Sequence, residues 1–324
     1  MKFTITILFY LLFLSATNRS SDPPNAERDA WVETMFNNMT EDQRIAQLFM
    51  IRAHSNKGPD HIEKVTKLVR DYQVGGLCFF QGTPEKQAEL TNKYQQLSKV
   101  PLMISMDAEW GLGMRLKSST ISFPHNLTLG AIQNNNLIYD MGQEVARQCR
   151  RLGVHVNFAP VVDINNNKDN PVINYRSFGE DRYNVSAKSF MYMKGMQDGN
   201  LMACAKHFPG HGDTNVDSHF DLPIINHDMP RLDSIEMFPF RLLAEHGMQS
   251  MMIAHLHVPA IDATANRPTT LSPKAVTNIL KEDIGFDGLI FTDGLGMKGV
   301  TKHYRAGEVE AKACLLYTSP SPRD

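Results

Sequence analysis

The stretch from Lys206 to Pro223, KHFPGHGDTNVDSHFDLP, concentrates three histidines, three aspartates and a lysine in eighteen residues. Pro209, Gly210 and Gly212 interrupt any helical pattern, so we predict a strand end that runs into a loop. Imidazole and carboxylate groups at this density suit either metal binding or acid–base catalysis. The spacing within the stretch helps to choose between these two kinds of site.

A metal site would use His207, His211 and His219, with Asp217 as a fourth ligand. The sequence has no HExxH helix, however, and the proline and glycine breakers remove the helical face that a four-residue histidine spacing needs. In an extended loop, Asp217 and His219 lie two residues apart and point the same way. A carboxylate so placed fixes the imidazole tautomer and favours its protonated form. The breakers therefore disfavour a metal site, and Asp217 and His219 remain candidates for an acid–base pair.

The elements that must position these groups are short apolar runs alternating with amphipathic segments. The candidate strands are 45–51, 75–80, 101–107, 154–163, 202–208, 250–258 and 288–293, and helical spacing occurs over 62–72, 84–98, 135–153 and 272–285. Continuous apolar strands alternating with helices predict a parallel sheet that is buried on both faces. Because no glycine-rich phosphate loop follows the first strand, we predict a (β/α)8 TIM barrel rather than a doubly wound sheet.

Polar residues stand at the carboxyl ends of five different candidate strands: Asp107, Asp163, His207, His255 and Asp293. In a barrel these ends converge on one mouth, where active sites lie. An eighth strand should follow the helix that begins near Ala306, and no segment there has strand character. The barrel is therefore expected to be truncated before its eighth strand.

Composition restricts the class of protein. The chain has 324 residues, a formal charge of −2 and 42% hydrophobic residues, which suits a globular protein with a sizeable core. The near-neutral charge gives no footprint for nucleic acid. Cys78 and Cys204 lie in apolar runs and are interpreted as buried thiols. The sequence lacks both a GxSxG elbow and a GxxxxGK[ST] phosphate loop, which disfavours a serine hydrolase and a nucleotide-binding protein.

The two ends are interpreted separately from the body of the chain. Residues 1–21 have a short apolar run and fit a signal peptide, with an uncleaved anchor as the alternative. We expect a secreted, periplasmic protein without a membrane span after cleavage. Residues 22–314 are assigned to the catalytic barrel. The tail over 315–324 resembles translated adapter read-through, so a longer natural protein with a further C-terminal domain is expected.

The KHFPGHG and DSH segments, together with FTDGLGM (291–297), resemble bacterial β-N-acetylglucosaminidases of glycoside hydrolase family 3. Supporting blocks are MDAEWGLGMR (106–115), NFAPVVDIN (157–165) and NPVINYRSFGED (170–181). The resemblance covers residues 30 to 314. It implies a barrel fold, no cofactor, and hydrolysis with retention through a covalent glycosyl-enzyme intermediate.

The resemblance also implies roles for individual residues. Asp293 matches the nucleophile, although a helix N-cap is the structural alternative. His219 matches the general acid/base, and Asp217 the carboxylate that orients it. The remaining matches bind the sugar: Asp107, Arg115, Arg176, Lys206 and His207.

Four residues near these positions keep a second interpretation. Arg176 could instead pair with Glu180 or Asp181, and Asp163 either lines the site or caps a loop. His211 is expected to shape its loop through hydrogen bonds. Trp110 departs from the small residue usual in the family and either stacks on a sugar or packs.

These observations predict a retaining exo-β-N-acetylglucosaminidase that releases terminal N-acetylglucosamine from β-glycosides such as peptidoglycan fragments. One alternative is a β-glucosidase or β-hexosaminide phosphorylase of the same family, since an imidazole acid repels phosphate less than a carboxylate does. Another is an inactive, truncated carbohydrate-binding fragment, because an open barrel exposes strand edges.

Overall fold

The computed structural model describes residues 26–218, 220–305 and 307–317. The chain divides into two compact units, Met1–Glu41 and Asp42–Asp324. In the first unit the structure describes one helix, α1 (Ala26–Asn38). The predicted signal peptide, residues 1–21, lies outside the described residues. No described helix is long and apolar enough to cross a membrane.

The second unit is built around a seven-stranded sheet. Its strands are β1 (Met50–Ala53), β2 (Gly76–Phe79), β3 (Met103–Met106), β4 (Val156–Asn157), β5 (Met202–Phe208), β6 (Ser250–Ile253) and β7 (Leu289–Thr292). Each strand pairs in parallel with the next along the chain, so β1 and β7 are the two edges. The α/β fold with a parallel sheet is therefore confirmed. Strand β5 has the predicted bounds, whereas the strand predicted from Ile45 begins only at Met50.

Helices connect the strands. They are α2 (Glu41–Ala46), α3 (Pro59–Tyr72), α4 (Pro84–Leu97), α5 (Asn126–Gly130), α6 (Asn136–Arg151), α7 (Arg182–Asp198), α8 (Met229–Ser234), α9 (Phe238–Glu245), the π-helix Lys274–Asp283, α10 (Lys298–Thr301) and α11 (Glu308–Tyr317), with 3₁₀ turns at Leu112–Met114, Asn174–Arg176 and Thr269–Leu271. Side-chain N-caps mark the start of two of these helices. The Thr83 hydroxyl accepts from the Lys86 amide at the start of α4, and the Asp181 carboxylate accepts from the Asn184 amide at the start of α7.

Side chains alternate between the two faces of the sheet. Residues such as Leu77 and Ile104 join the large core between the sheet and the helices, whereas Cys78 and Cys204 belong to a smaller apolar cluster on the other face. Both cysteines are free and buried, and burial raises the pKa of each thiol to about 12. The interpretation of these residues as buried thiols is confirmed.

The sheet is curled. Residues of both edge strands, Arg52 of β1 and Thr292 of β7 among them, line one cavity. In a flat sheet six strand spacings of ~4.8 Å would hold those edges about 29 Å apart. The curl therefore brings the carboxyl ends of the strands around a common mouth. Helix α11 extends to Tyr317, three residues into the tail predicted to be foreign, and the rest of that tail lies outside the described residues.

Candidate active site

The predicted site residues meet at the carboxyl end of the sheet. The cavity that contains them has a volume of about 1720 Å³ and runs along both edge strands, from Phe49 and Gly288 to the carboxyl ends. Its lining contains all five predicted sugar-binding residues and the predicted nucleophile: Asp107, Arg115, Arg176, Lys206, His207 and Asp293. These side chains come from segments that are far apart in sequence, so the fold and not chain proximity assembles them.

A network of charged groups forms one wall of the cavity. Arg115 Nη2 lies 2.6 Å from Asp107 Oδ2, and Lys206 Nζ lies 2.8 Å from Asp107 Oδ1. Lys206 also contacts Glu109 Oε1 at 2.8 Å. Arg176 grips the same carboxylate with two bonds, Nε to Oε2 at 2.9 Å and Nη2 to Oε1 at 2.8 Å. Glu109 and Lys206 are 1% and 2% exposed, so these charges are held by one another and not by water.

The network keeps its carboxylates ionised. Burial alone would raise the pKa of Glu109, but the Arg176 and Lys206 cations outweigh it and lower that pKa. The pKa of Asp107 is likewise lowered, because Lys206 and Arg115 overcome its burial. Burial would depress the pKa of Lys206, yet Asp107 and Glu109 raise it. Asp107 therefore presents an anionic acceptor to the cavity, as a sugar hydroxyl requires.

Glu109 was not among the predicted site residues. It lies two positions after Asp107 in the MDAEWGLGMR block, and a charged residue beside an apolar strand end is the signal that could have identified it. Its presence also decides the interpretation of Arg176, which pairs with Glu109 rather than with Glu180 or Asp181. The Asp181 carboxylate instead caps α7.

Asp163 holds the loop that follows β5. Its fully buried carboxylate accepts from the His207 ring Nδ1 at 2.7 Å and from the His211 amide at 2.6 Å. The Arg176 Nη2 group lies 3.3 Å from His207 Nε2, and a guanidinium can only donate, so Nε2 accepts and Nδ1 carries the proton. Of the two interpretations of Asp163, capping of the loop is the one that the structure supports.

Asp293 follows β7 directly and is partly exposed to the cavity. Its amide donates to the Ile253 carbonyl at 3.0 Å, and its Oδ1 accepts from the Gly294 amide at 2.7 Å. The next helix, α10, begins five residues later at Lys298, with Met297 at its N-cap position, so the N-cap alternative for Asp293 is wrong. Burial would raise the pKa of Asp293, but His255, His207 and the Gly294 amide lower it to about 2. The group is an anion at any pH near neutrality.

The loop that carries the predicted acid–base pair reaches the same cavity. His219 lies outside the described residues, but its neighbour Ser218 lines the cavity together with Asp293. The Ser218 carbonyl accepts from the Gly299 amide at 3.1 Å, which ties the loop to the segment after Asp293. His211 Nδ1 lies 2.8 Å from Thr214 Oγ1, and its Nε2 lies 3.4 Å from Ser218 Oγ. His211 thus shapes the loop through hydrogen bonds, as predicted.

One cluster in the described residues has donor atoms of the types that bind metals. Asp213, His227 and Glu236 place one such atom each within 4.8 Å of one another. The Arg231 guanidinium contacts Glu236 Oε1 at 3.0 Å and lies 3.9 Å from Asp213 Oδ2. A cation already neutralises the carboxylates there, which opposes the binding of a second one.

Trp110 packs in an aromatic cluster beside the charged network. Its ring meets the His125 ring edge-on at 4.7 Å between centroids, and His125 lies 4.4 Å from the Tyr175 ring. The Trp110 carbonyl also accepts from the Phe123 amide at 2.8 Å. These contacts favour the packing interpretation of Trp110.

The curled parallel sheet, with a cavity walled by charged hydrogen-bonding groups beside an ionised carboxylate, defines an α/β protein with a candidate catalytic site. The glycosyl hydrolase family 3 N-terminal domain matches residues 40–315, and the chain belongs to this family. The resemblance stated from the sequence motifs is confirmed.

The chain is also similar to individual proteins of known name. The chain is 34% identical to a β-hexosaminidase of Thiobacillus denitrificans, over 74% of this chain and 68% of that one. It is 32% identical to β-hexosaminidase A of Pseudoalteromonas piscicida, over 74% of this chain and 44% of that one. The solved structure of a family 3 β-N-acetylglucosaminidase from Paenibacillus sp. str. FPU-7 matches with a TM-score of 0.78 and 35% identity, over 85% of this chain and 53% of that one. The chain thus spans about half the length of some of these relatives.

Proposed function

We propose that the protein is a retaining exo-β-N-acetylglucosaminidase that removes terminal N-acetylglucosamine from β-glycosides. The observation that carries the proposal is the position of Asp293, an ionised carboxylate that faces the same cavity as the Asp107–Arg115–Lys206 wall. An anion at this point can both stabilise an oxocarbenium-like transition state and attack the anomeric carbon. The relatives named β-hexosaminidase and β-N-acetylglucosaminidase support the choice of sugar.

The reaction takes two steps. In the first, Asp293 attacks the anomeric carbon while the bond to the leaving oxygen breaks and His219 donates a proton to that oxygen. In the second, water attacks the anomeric carbon, gives its proton to His219 and releases the Asp293 carboxylate. Asp217 orients the imidazole throughout. Two displacements at one carbon retain its configuration.

The charged wall binds the sugar. Asp107 accepts from hydroxyl groups, Arg115, Arg176 and Lys206 donate to hydroxyl or acetamido oxygens, and the His207 ring, held by Asp163 and Arg176, contributes its surface to the sugar site. Because the cations are already oriented by Asp107 and Glu109, little side-chain entropy is lost when the sugar binds.

The fold proposed for the whole protein is a (β/α)8 barrel, in which an eighth strand would lie between β1 and β7, the two edges of the described sheet. The proposed setting is secretion to the periplasm, with peptidoglycan fragments as the substrate and a further C-terminal domain in a longer natural protein.

Turnover of a chromogenic β-N-acetylglucosaminide by a full-length clone tests the proposal. We expect release of the sugar with its β configuration, which proton NMR of the first-formed product reports. Hydrolysis of the β-glucoside at an equal or higher rate, or an inverted product, would contradict the proposal. Addition of phosphate distinguishes phosphorolysis, which would yield a sugar 1-phosphate instead of the free sugar.

A matched measurement on this chain alone separates activity from folding. If residues 22–314 melt cooperatively and turn over substrate at the rate of the full-length clone, the alternative of an inactive, truncated carbohydrate-binding fragment is wrong.

A further inference from the structure

His255 is a buried histidine that the reaction scheme above does not use. It follows β6 and is fully enclosed. Its Nδ1 lies 2.6 Å from Thr270 Oγ1, and its Nε2 lies 3.1 Å from the Gly294 carbonyl oxygen. Both ring nitrogens therefore have an oxygen within hydrogen-bonding distance. Each ring nitrogen must carry a proton if the oxygen that faces it can only accept a hydrogen bond.

The Thr270 hydroxyl has one proton, which it donates to a group other than His255. Its Oγ1 lies 2.7 Å from the Ala254 carbonyl oxygen, and because a carbonyl can only accept, the hydroxyl donates to it. Oγ1 is then left as an acceptor toward His255, so Nδ1 must donate. The Gly294 carbonyl is also only an acceptor, so Nε2 must donate as well. A ring that donates from both nitrogens is an imidazolium cation.

The cation and the nucleophile are joined through one residue. Gly294 accepts at its carbonyl from His255 and donates its amide to Asp293 Oδ1 at 2.7 Å. His255 therefore fixes the backbone segment that orients the Asp293 carboxylate. Among the groups that oppose the effect of burial on the pKa of Asp293, the charge of His255 is the largest.

We propose that His255 is a permanently protonated positioning residue, which holds Gly294 in place and keeps the neighbouring Asp293 ionised. His255 transfers no proton in either step of the reaction. The inference rests on the proposed function for the role of Asp293, but the protonation state of His255 does not depend on that function.

Other charged groups also face Asp293. Lys206 lies on β5, as does His207, and both lower the pKa of Asp293 less than His255 does. His211, from the loop after β5, senses the charge of Asp293 in turn. Removal of His255 therefore weakens the positive surroundings of Asp293 without abolishing them.

Nitrogen-15 NMR of histidine-labelled full chain measures the first half of the proposal. We expect both ring nitrogens of His255 to carry hydrogen from pH 5 to pH 8, each giving a one-bond N–H coupling. A bare ring nitrogen at pH 7 would overturn the proposal, whether or not the protein turns over a glycoside. Thr270→Val removes the acceptor for Nδ1 and should reduce the doubly protonated fraction, whereas Thr270→Ser keeps the hydroxyl and should preserve it.

Carbon-13 NMR of aspartate-labelled protein measures the second half. In the wild type we expect Asp293 to titrate near pH 2, and in His255→Gln at a higher pH, because burial is then less opposed. His257→Gln is the matched control, since its ring contacts the Arg267 carbonyl and not Gly294. An unchanged titration of Asp293 in folded His255→Gln would overturn the proposal.

Kinetics distinguish this failure from a failure of the proposed function. For an active enzyme we expect His255→Gln to lower kcat more than it changes KM, and to move the acid limb of kcat/KM to higher pH. A protein that hydrolyses no glycoside but shows the protonated ring and the shifted Asp293 titration contradicts only the proposed function. An active enzyme with a neutral His255 contradicts only this inference.

Discussion

The two sides of the cavity hold their charged groups in different ways. The charged network of Asp107, Glu109, Arg115, Arg176 and Lys206 is bound by five contacts of 2.6 to 2.9 Å between ionised atoms. The loop over residues 209–221 is held by a buried inner half, in which His211 contacts Thr214 and Ser218. Phe220, beside the predicted acid/base, is 70% exposed.

The difference follows from what each side must do. Sugar recognition needs donors and acceptors in fixed positions, and mutual ion pairing supplies that order before any ligand arrives. A group that gives up a proton and takes one back must reach both the leaving oxygen and water, so it suits the more exposed outer part of this loop. We therefore expect substitutions in the network to affect stability and activity together, and substitutions of the predicted acid–base pair, Asp217 and His219, to affect activity alone.

Replacement of Asp293 by Asn should lower turnover more than any other substitution. Its residual activity is the lower limit with which the other variants are compared. It removes the attacking anion while leaving both sides of the cavity intact, so turnover should fall at least about 10⁴-fold with little change in the melting temperature. Steady-state kinetics on the chromogenic glycoside measure the loss. Residual activity above one per cent would show that another residue is the nucleophile.

Replacement of Glu109 by Gln should break the network. It leaves the buried Arg176 and Lys206 without their shared carboxylate, and loss of one partner of a buried ion pair costs about 3–5 kcal/mol. We expect that loss in the free energy of unfolding, measured by denaturant titration, together with a fall in kcat/KM. Glu89→Gln, which removes a solvent-exposed pairing with Lys86, is the control and should be nearly silent.

Glu109→Gln also tests how the free energy of unfolding depends on pH. The folded-state pKa of Glu109 lies below its ordinary value of 4.5. Its stabilisation is therefore fully present above about pH 4.5 and is lost as the pH falls below that value. The wild type should lose stability between pH 5 and pH 3 more steeply than Glu109→Gln does. Equal slopes would mean that Glu109 is not held ionised by its neighbours.

Substitution in the loop should act on chemistry without acting on stability. His219→Ala removes the proposed proton donor, so glycosides with poor leaving groups should slow about 10²- to 10⁴-fold, and activated aryl glycosides far less. Asp217→Asn should give a smaller effect of the same kind. The melting temperature is the control. A fall as large as that of Glu109→Gln would mean that the loop and the charged network do not differ in their contribution to stability.

Sequence reasoning succeeded where a pattern was local. The apolar run of β5 and the proline and glycine residues after it gave the strand its correct bounds. Of the five polar residues predicted at strand ends, Asp107, His207 and Asp293 line the common cavity, whereas Asp163 and His255 are fully buried. Sequence reasoning failed where the role of a residue depends on a partner that is distant in the sequence. Glu109 and Arg176 are 67 residues apart, so only the fold shows that they pair. The twofold hydrogen bonding of His255 likewise requires Thr270 and Gly294 to be brought together in space.

Gly299 lies where the loop over residues 209–221 contacts the segment that follows Asp293. Its substitution should have the smallest effect on activity. A Cβ on residue 299 would stand 2.9 Å from the Ser218 carbonyl oxygen and 3.0 Å from that of Asp221. Gly299→Ala should therefore push the loop outward while leaving the network untouched. We expect a roughly 3- to 10-fold loss of kcat on poor leaving groups and an almost unchanged KM, since a small misplacement of the proton donor is costly. Gly296→Ala, where the added carbon meets nothing within 4 Å, is the control. Equal losses in the two variants would mean that the contact between Ser218 and Gly299 does not position the loop.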